Sequence, residues 1–218
     1  MIEIILLVSS ILFIFALKLF GRPSTAHRAN TFAMLAMALA VFSAFNFDFS
    51  KYDSAFYITI VVSGLLGVLI SKRVQMTQMP ELVGLFNGFG GGASGAIAYV
   101  ELSGNSLPIS DVFVAIFSMV IGIFTFSGSL VAVMKLRGKL NNFNKKLADI
   151  FSVFLPTIIL IPVVLEMDDL LIEFIILVSL IGGVIRVAVI GGADMPVVIA
   201  FLNSLSGIAA MSAGFIVN

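Results

Sequence analysis

The sequence predicts an all-α integral membrane protein of about eight transmembrane helices, on three grounds. The first is composition. Of 218 residues, 60% are hydrophobic and 11% charged, with a mean hydropathy of +1.18; typical soluble domains hold roughly 45–50% apolar and about 25% charged residues. A water-soluble fold could not cover that much apolar surface, and intrinsic disorder is excluded for the same reason. The second ground is a succession of apolar runs near the roughly 20 residues that a helix needs to cross about 30 Å of hydrocarbon. The third is that the charges between those runs alternate in sign.

The runs are Ile4–Phe20, Asn30–Phe45, Ala55–Ser71, Pro80–Val100, Val112–Met134, Leu147–Leu165, Leu170–Val189 and Pro196–Val217. The first lacks the basic leader and the small-residue cleavage site of a signal peptide, so it is a retained span. The loop after the first run carries Lys18, Arg22 and Arg28; the loop after the third, Lys72 and Arg73; the loop after the fifth, Lys135, Arg137, Lys139, Lys145 and Lys146. Arg186 ends the seventh run. The intervening loops hold Asp48, Asp53, Glu101, Asp111, Glu166, Asp168, Asp169 and Glu173, with Lys51 as their one basic residue. By the positive-inside rule the basic loops are cytoplasmic, so both termini are expected outside.

Several functions drop out. The formal net charge of +0 argues against a nucleic-acid surface. With no Cys, thiol catalysis, disulfides and thiolate metal sites are not expected. His27, the one histidine, cannot build a metal site by itself. It lies in the first cytoplasmic loop, away from membrane depth, which suits a solvated side chain better than a proton relay. No catalytic, cofactor-binding or metal-binding residue is singled out on this chain.

Two stretches repeat each other. MPELVGLFNGFGGGASG begins at Met79 and MPVVIAFLNSLSGIAAMSAG at Met195, which sets Pro80 against Pro196, Asn87 against Asn203 and Gly91 against Gly207. The preceding runs fit the same offset, pairing Ser63 with Ser179 and Gly67 with Gly183. Four spans separate the copies, so the halves would share one orientation. That would be a parallel four-plus-four repeat, about residues 1–101 and 109–218, within one transmembrane domain; the alternative is a coincidence between helices rich in small residues. In each copy the Pro suits the first helical turn, where its missing N–H costs nothing.

Asn87 and Asn203 stand eight residues beyond their Met, roughly 12 Å along a helix and hence near the bilayer midplane. Carboxamides there are costly unless they meet a partner or water. They serve either as interhelical glue or as part of a polar path. Gly91, Ser94 and Ala98 share the stripe of Asn87; Gly207, Ala210 and Gly214 share that of Asn203, with Ser206 alongside. Such small residues admit either close packing or ordered water. GFGGGA from Gly88 fits a glycine-rich nucleotide pattern in letters only, because it lies inside a hydrophobic helix and follows no strand. At the membrane edge, Asp194 precedes the Met-Pro of the last run and Glu81 lies in the first turn of the fourth. Each is either a helix cap or a gating carboxylate, with capping the simpler reading for Glu81. Gly191 and Gly192 would let the joint before Asp194 flex. Arg186 is most simply a snorkelling side chain, with a pairing to Asp194 as the other reading.

MTQMPELVGLFNGFGGGASG and IGGADMPVVIAFLNSLSG, with ILFIFALK and FTFSGSLVAVMKLRGKL, resemble the membrane domain of the β subunit of proton-translocating NAD(P)+ transhydrogenase over essentially the whole chain. The resemblance implies a protein of the bacterial or mitochondrial inner membrane that couples hydride transfer between NADH and NADP+ to proton movement. It implies an α-type partner subunit with membrane and NAD(H)-binding parts, an NADP(H)-binding domain, and a homodimeric complex in the lipid bilayer. Asp194 matches an aspartate that links the membrane domain to the NADP(H) domain, and Asn203 a polar residue of the proton path. Asn87 stands where many bacterial members carry a proton-accepting histidine, so a titrating group would have to come from a partner chain. Ser94, Ser204 and Ser206 are expected to line the same path, with Glu81 and Asp194 as coupling groups. The family's β subunit continues through a further span into an NADP(H)-binding domain, whereas this sequence stops at Asn218, on the outer side by the charge pattern. A truncated or split chain is expected. NADP(H) and NAD(H) would be bound elsewhere in the complex, and this chain alone should lack redox activity. The rival readings are a secondary transporter or channel built on parallel repeats, and a purely structural membrane subunit.

Overall fold

The computed structural model describes residues 2–44, 52–104, 107–140 and 169–217, together with Lys146 and Asp149. Among the described residues the chain forms seven α-helices and no strand, and it divides into two compact units, 1–73 and 74–218. The sixth apolar run, Leu147–Leu165, lies outside the described residues.

In the first unit, α1 (Ile2–Phe20) and α2 (Ala26–Ala44) form a helical hairpin. The chain turns where Pro23 forces Arg22 into extended backbone (φ −132°, ψ 129°) and opens a single 3₁₀ turn. Ser9 Oγ donates to Ala36 O at 2.7 Å, and the Phe15 and Phe32 rings meet edge to face 5.2 Å apart. The pairing of 9 with 36 and of 15 with 32 makes the two helices antiparallel. α3 (Ser54–Arg73) starts where Asp53 Oδ1 accepts the Phe56 N–H at 3.0 Å, a side-chain cap. It ends on Lys72 and Arg73, which complement the negative end of its dipole. No residue of α3 is buried.

The second unit holds α4 (Met79–Gly104), α5 (Ile109–Leu136), α6 (Asp169–Ala188) and α7 (Met195–Val217). α5 is its centre and packs on the other three. A capping box between Gln75 and Gln78 sets the turn before α4, and Pro80 and Pro196 occupy the first turns of α4 and α7. α5 stops in a Schellman motif. Gly138 takes φ 65°, its N–H reaches Lys135 O at 2.9 Å, and the Lys139 N–H reaches Met134 O at 3.0 Å.

Glycine sets how closely these helices approach. A Cβ on Gly122 of α5 would fall 2.5 Å from Gly91 O and 2.7 Å from Gly95 N, so α4 and α5 touch backbone to backbone. A Cβ on Gly183 of α6 would collide with Ser127 and with Phe124 O, so α5 and α6 do the same. Gly84 faces Val133 while Gly95 faces Met119 and Ile123, which makes α4 and α5 antiparallel. Ile172 and Ile175 pack with Ile116 and Met119, whereas Ile190 meets Lys135, so α5 and α6 run parallel. Gly84 faces Ile199 and Gly91 faces Ser206, so α4 and α7 are parallel too.

Two apolar clusters cap this bundle. One joins Ala98, Ile116, Met119, Val120, Ile172 and Ile175; the other joins Val131, Ala132, Val187, Ala188, Met195, Ile199 and Leu202. Between them lies a buried layer of Asn87, Thr125, Ser129 and Ser206. Five segments are long and apolar enough to cross a membrane: α1, α3, α5, α6, and 192–217, which contains α7. α2 and α4, at 19 and 26 residues, have the length but fall short of the five in hydropathy over a membrane-length window. The reason is Ala, His, Arg and Asn in α2, and the glycine run with Glu81 and Asn87 in α4.

Candidate functional site

The polar layer is built from three helices. Glycines at 88 and 91 let α5 come close enough to α4 for Asn87 Nδ2 to donate to Ser129 Oγ at 2.8 Å. From α7, Ser206 Oγ reaches Asn87 O at 3.4 Å. Thr125, one turn from Ser129 on α5, folds its hydroxyl back on Gly122 O at 2.9 Å. Asn87 is only 7% exposed, and its Oδ1 is buried with no hydrogen-bond partner among the described residues. One end of the carboxamide is thus fixed and the other is left unsatisfied, which costs about 1–3 kcal/mol.

That residue lines an open groove of about 530 Å³ between α4 and α7, with Val83, Phe86, Gly90, Asn203, Ser206, Gly207 and Ala210 as its other walls. The volume and the unpaired acceptor suit ordered water or a polar group from another helix. Towards the Met-Pro end, an apolar groove of about 330 Å³ between Met79, Pro80, Val83, Pro196 and Ile199 adjoins it.

The expected path residues divide. Asn87, Asn203 and Ser206 share the groove. Ser94 is buried higher on α4 and bonds back to Gly90 O at 3.0 Å, and Ser204 is exposed and bonds to Ala200 O at 3.3 Å, so neither joins the layer. The two repeated stripes also differ. Asn87, Gly91, Ser94 and Ala98 are buried, whereas Asn203, Gly207, Ala210 and Gly214 are all exposed. The reason is that α4 turns Asn87 and Gly91 onto α5, while α7 meets α5 with Leu202 and Ala209. Ser129 was not singled out from the sequence. Its signal was present as the alternate serines of FTFSGSL, but nothing local says which of them faces Asn87.

At the Met-Pro end, Glu81 Oε2 accepts from Arg137 Nε at 2.6 Å. The ion pair ties the start of α4 to the end of α5, a partner the sequence did not suggest. Asp194 is exposed in the 3₁₀ turn Gly192–Asp194. Among the described residues it makes no ion pair with Arg186, which is itself exposed. The described residues contain no cluster of three or more His, Cys, Asp or Glu able to hold a metal.

Long apolar helices packed around a buried polar layer define a multi-pass helical membrane protein. The polar layer includes the asparagine and serine of the signature segments. A family model described as NAD(P) transhydrogenase beta subunit matches residues 2–218, and the chain belongs to that family. Two relatives, each named NAD(P) transhydrogenase subunit beta and both from Rhodospirillum rubrum, are 30% identical over 223 residues. The matches cover 96% of this chain and 48% of the relative, so the chain spans about half the length of the curated relatives it matches.

Proposed function

We propose that this chain is the proton-conducting membrane part of a proton-translocating NAD(P)+ transhydrogenase. In the complete complex it couples proton movement to hydride transfer from NADH to NADP+. The observation that carries this reading is the half-satisfied carboxamide of Asn87, held by Ser129 while Ser206 bonds the Asn87 main-chain carbonyl, beside an open groove that Asn203 also lines. A carboxamide orients water but does not take up a proton at physiological pH. The titrating group therefore comes from an α-type partner, which brings the NAD(H) site, while the NADP(H) domain reads the state of the joint through Asp194. Glu81 serves the path indirectly by fixing α4 to α5.

The topology is eight spans in the inner membrane with the N-terminus outside, arranged as two parallel halves of one transmembrane domain. The parallel packing of α4 on α7 supports it, bringing Asn87 and Asn203 to one groove at matching depth, as two halves of one orientation require. The complex itself is a homodimer.

The test is Asn203→Leu in the complete complex, with hydride transfer and proton pumping measured together. Pumping should fall while the complex still assembles and transfers hydride. Unaltered pumping with normal hydride transfer removes Asn203 from the path, and loss of assembly alone favours a structural role.

A further inference from the structure

Lys135 lies in the last turn of α5, where a lysine ordinarily extends its ammonium to water. Here it is 5% exposed, and its Nζ donates to Ile190 O at 2.6 Å. Burial of an ammonium is tolerated only when it is hydrogen-bonded. The acceptor lies just past the end of α6, where helix carbonyls lack partners and carry the negative end of the dipole. The Ile190 N–H bonds back to Val187 O at 3.1 Å, so Ile190 closes the helix end that Lys135 caps from outside. Gly191, Gly192, Ala193 and Asp194 follow directly. The same turn leans on α5, since a Cβ at Gly192 would sit 3.6 Å from Lys135 O. Six residues earlier on α5, about 9 Å along a continuous helix, Ser129 holds Asn87.

We propose that Lys135 is a positioning residue of the coupling joint: it clasps Ile190 and so fixes the turn that carries Asp194 to the same rigid helix that holds Asn87. A displacement of α5 at the polar layer then moves the Asp194 turn, and a displacement of that turn moves Ser129. The inference deepens the proposed function and rests on it. It gives the link between path and joint a physical element, a single helix gripped at two points.

The experiment uses the intact complex in liposomes, comparing Lys135→Met, Lys135→Arg and Asn203→Leu. Protons pumped per hydride transferred are measured in each. Loss of one hydrogen bond to a charged donor shifts a two-state joint by about tenfold or more. Lys135→Met should therefore lower the pumping ratio markedly at unchanged hydride transfer, and Lys135→Arg, which keeps a cationic donor, should restore it. Parent-like pumping by Lys135→Met, alongside loss of pumping in Asn203→Leu, overturns the clasp and leaves the path reading intact. Parent-like pumping by Asn203→Leu overturns the path reading and the clasp with it. The chain has no native Cys, so Ala193→Cys, at an exposed position, can carry a nitroxide on the joint. The label should become more mobile with Lys135→Met, or with Lys135→Gln if the methionine variant does not assemble. Unchanged mobility also overturns the clasp.

Discussion

Replacing Gly122 with Ala tests the backbone contact on which the polar layer depends. The added Cβ would stand 2.5 Å from Gly91 O, 2.7 Å from Gly95 N and 3.0 Å from Gly95 Cα, all main-chain atoms that no rotamer change can clear. Relief to an ordinary contact needs α4 to retreat from α5 by about 0.9 Å, and overpacking of this kind costs about 1–3 kcal/mol. The same retreat stretches the 2.8 Å bond between Asn87 and Ser129 towards about 3.7 Å, where little hydrogen bonding remains. That adds up to about 1 kcal/mol, the scale of interhelical hydrogen bonds in membranes. The expected loss is therefore about 1–4 kcal/mol, read from unfolding of the purified protein in mixed detergent micelles titrated with a denaturing detergent. Gly207→Ala is the control. Its Cβ meets nothing within 4 Å, so it should be neutral or up to about 1 kcal/mol stabilising through helix propensity. If Gly122→Ala unfolds where Gly207→Ala does, the close approach of α4 and α5 does not hold this bundle together.

Two further outcomes are expected. In a double-mutant cycle, Asn87→Ala and Ser129→Ala should be non-additive by about 0.6–1.7 kcal/mol, because each removes the same 2.8 Å bond; strict additivity in the unfolding titration would separate the two residues. Gly138→Ala should cost about 1 kcal/mol or more, since Gly138 sits at φ 65° where an added Cβ is strained. Its Cβ has open space around it, so a neutral result in the same titration would mean that the α5 stop tolerates another turn.

Helix positions were legible because apolar length and Met-Pro starts are local signals. Seven of the eight expected runs match α1 to α7 within a few residues at most ends, and Pro80 and Pro196 open α4 and α7 as their letters suggested. Asn87 and Asn203 could be singled out because a carboxamide in hydrocarbon is conspicuous wherever it points. Which neighbours they meet was not legible. The repeat treats the two asparagines alike, yet one is buried against α5 and the other stands exposed on the groove, because α5 lies against the stripe of one copy and not of the other. Ser94 and Ser204, expected on the same path, direct their hydroxyls to the carbonyls of their own helices, a detail no spacing shows.

The sequence by itself determined the class, the approximate positions of the described helices and the family, since hydrophobicity, proline and short specific strings act over a few residues. Only the tertiary structure decided that Ser129 fixes Asn87, that Arg137 holds Glu81 and that Lys135 grips Ile190. Each of those contacts joins residues 42, 56 or 55 positions apart. Their partners are chosen by how closely glycines let α4, α5 and α6 approach and by the rotation at which they then lock, and neither quantity is written in any one helix.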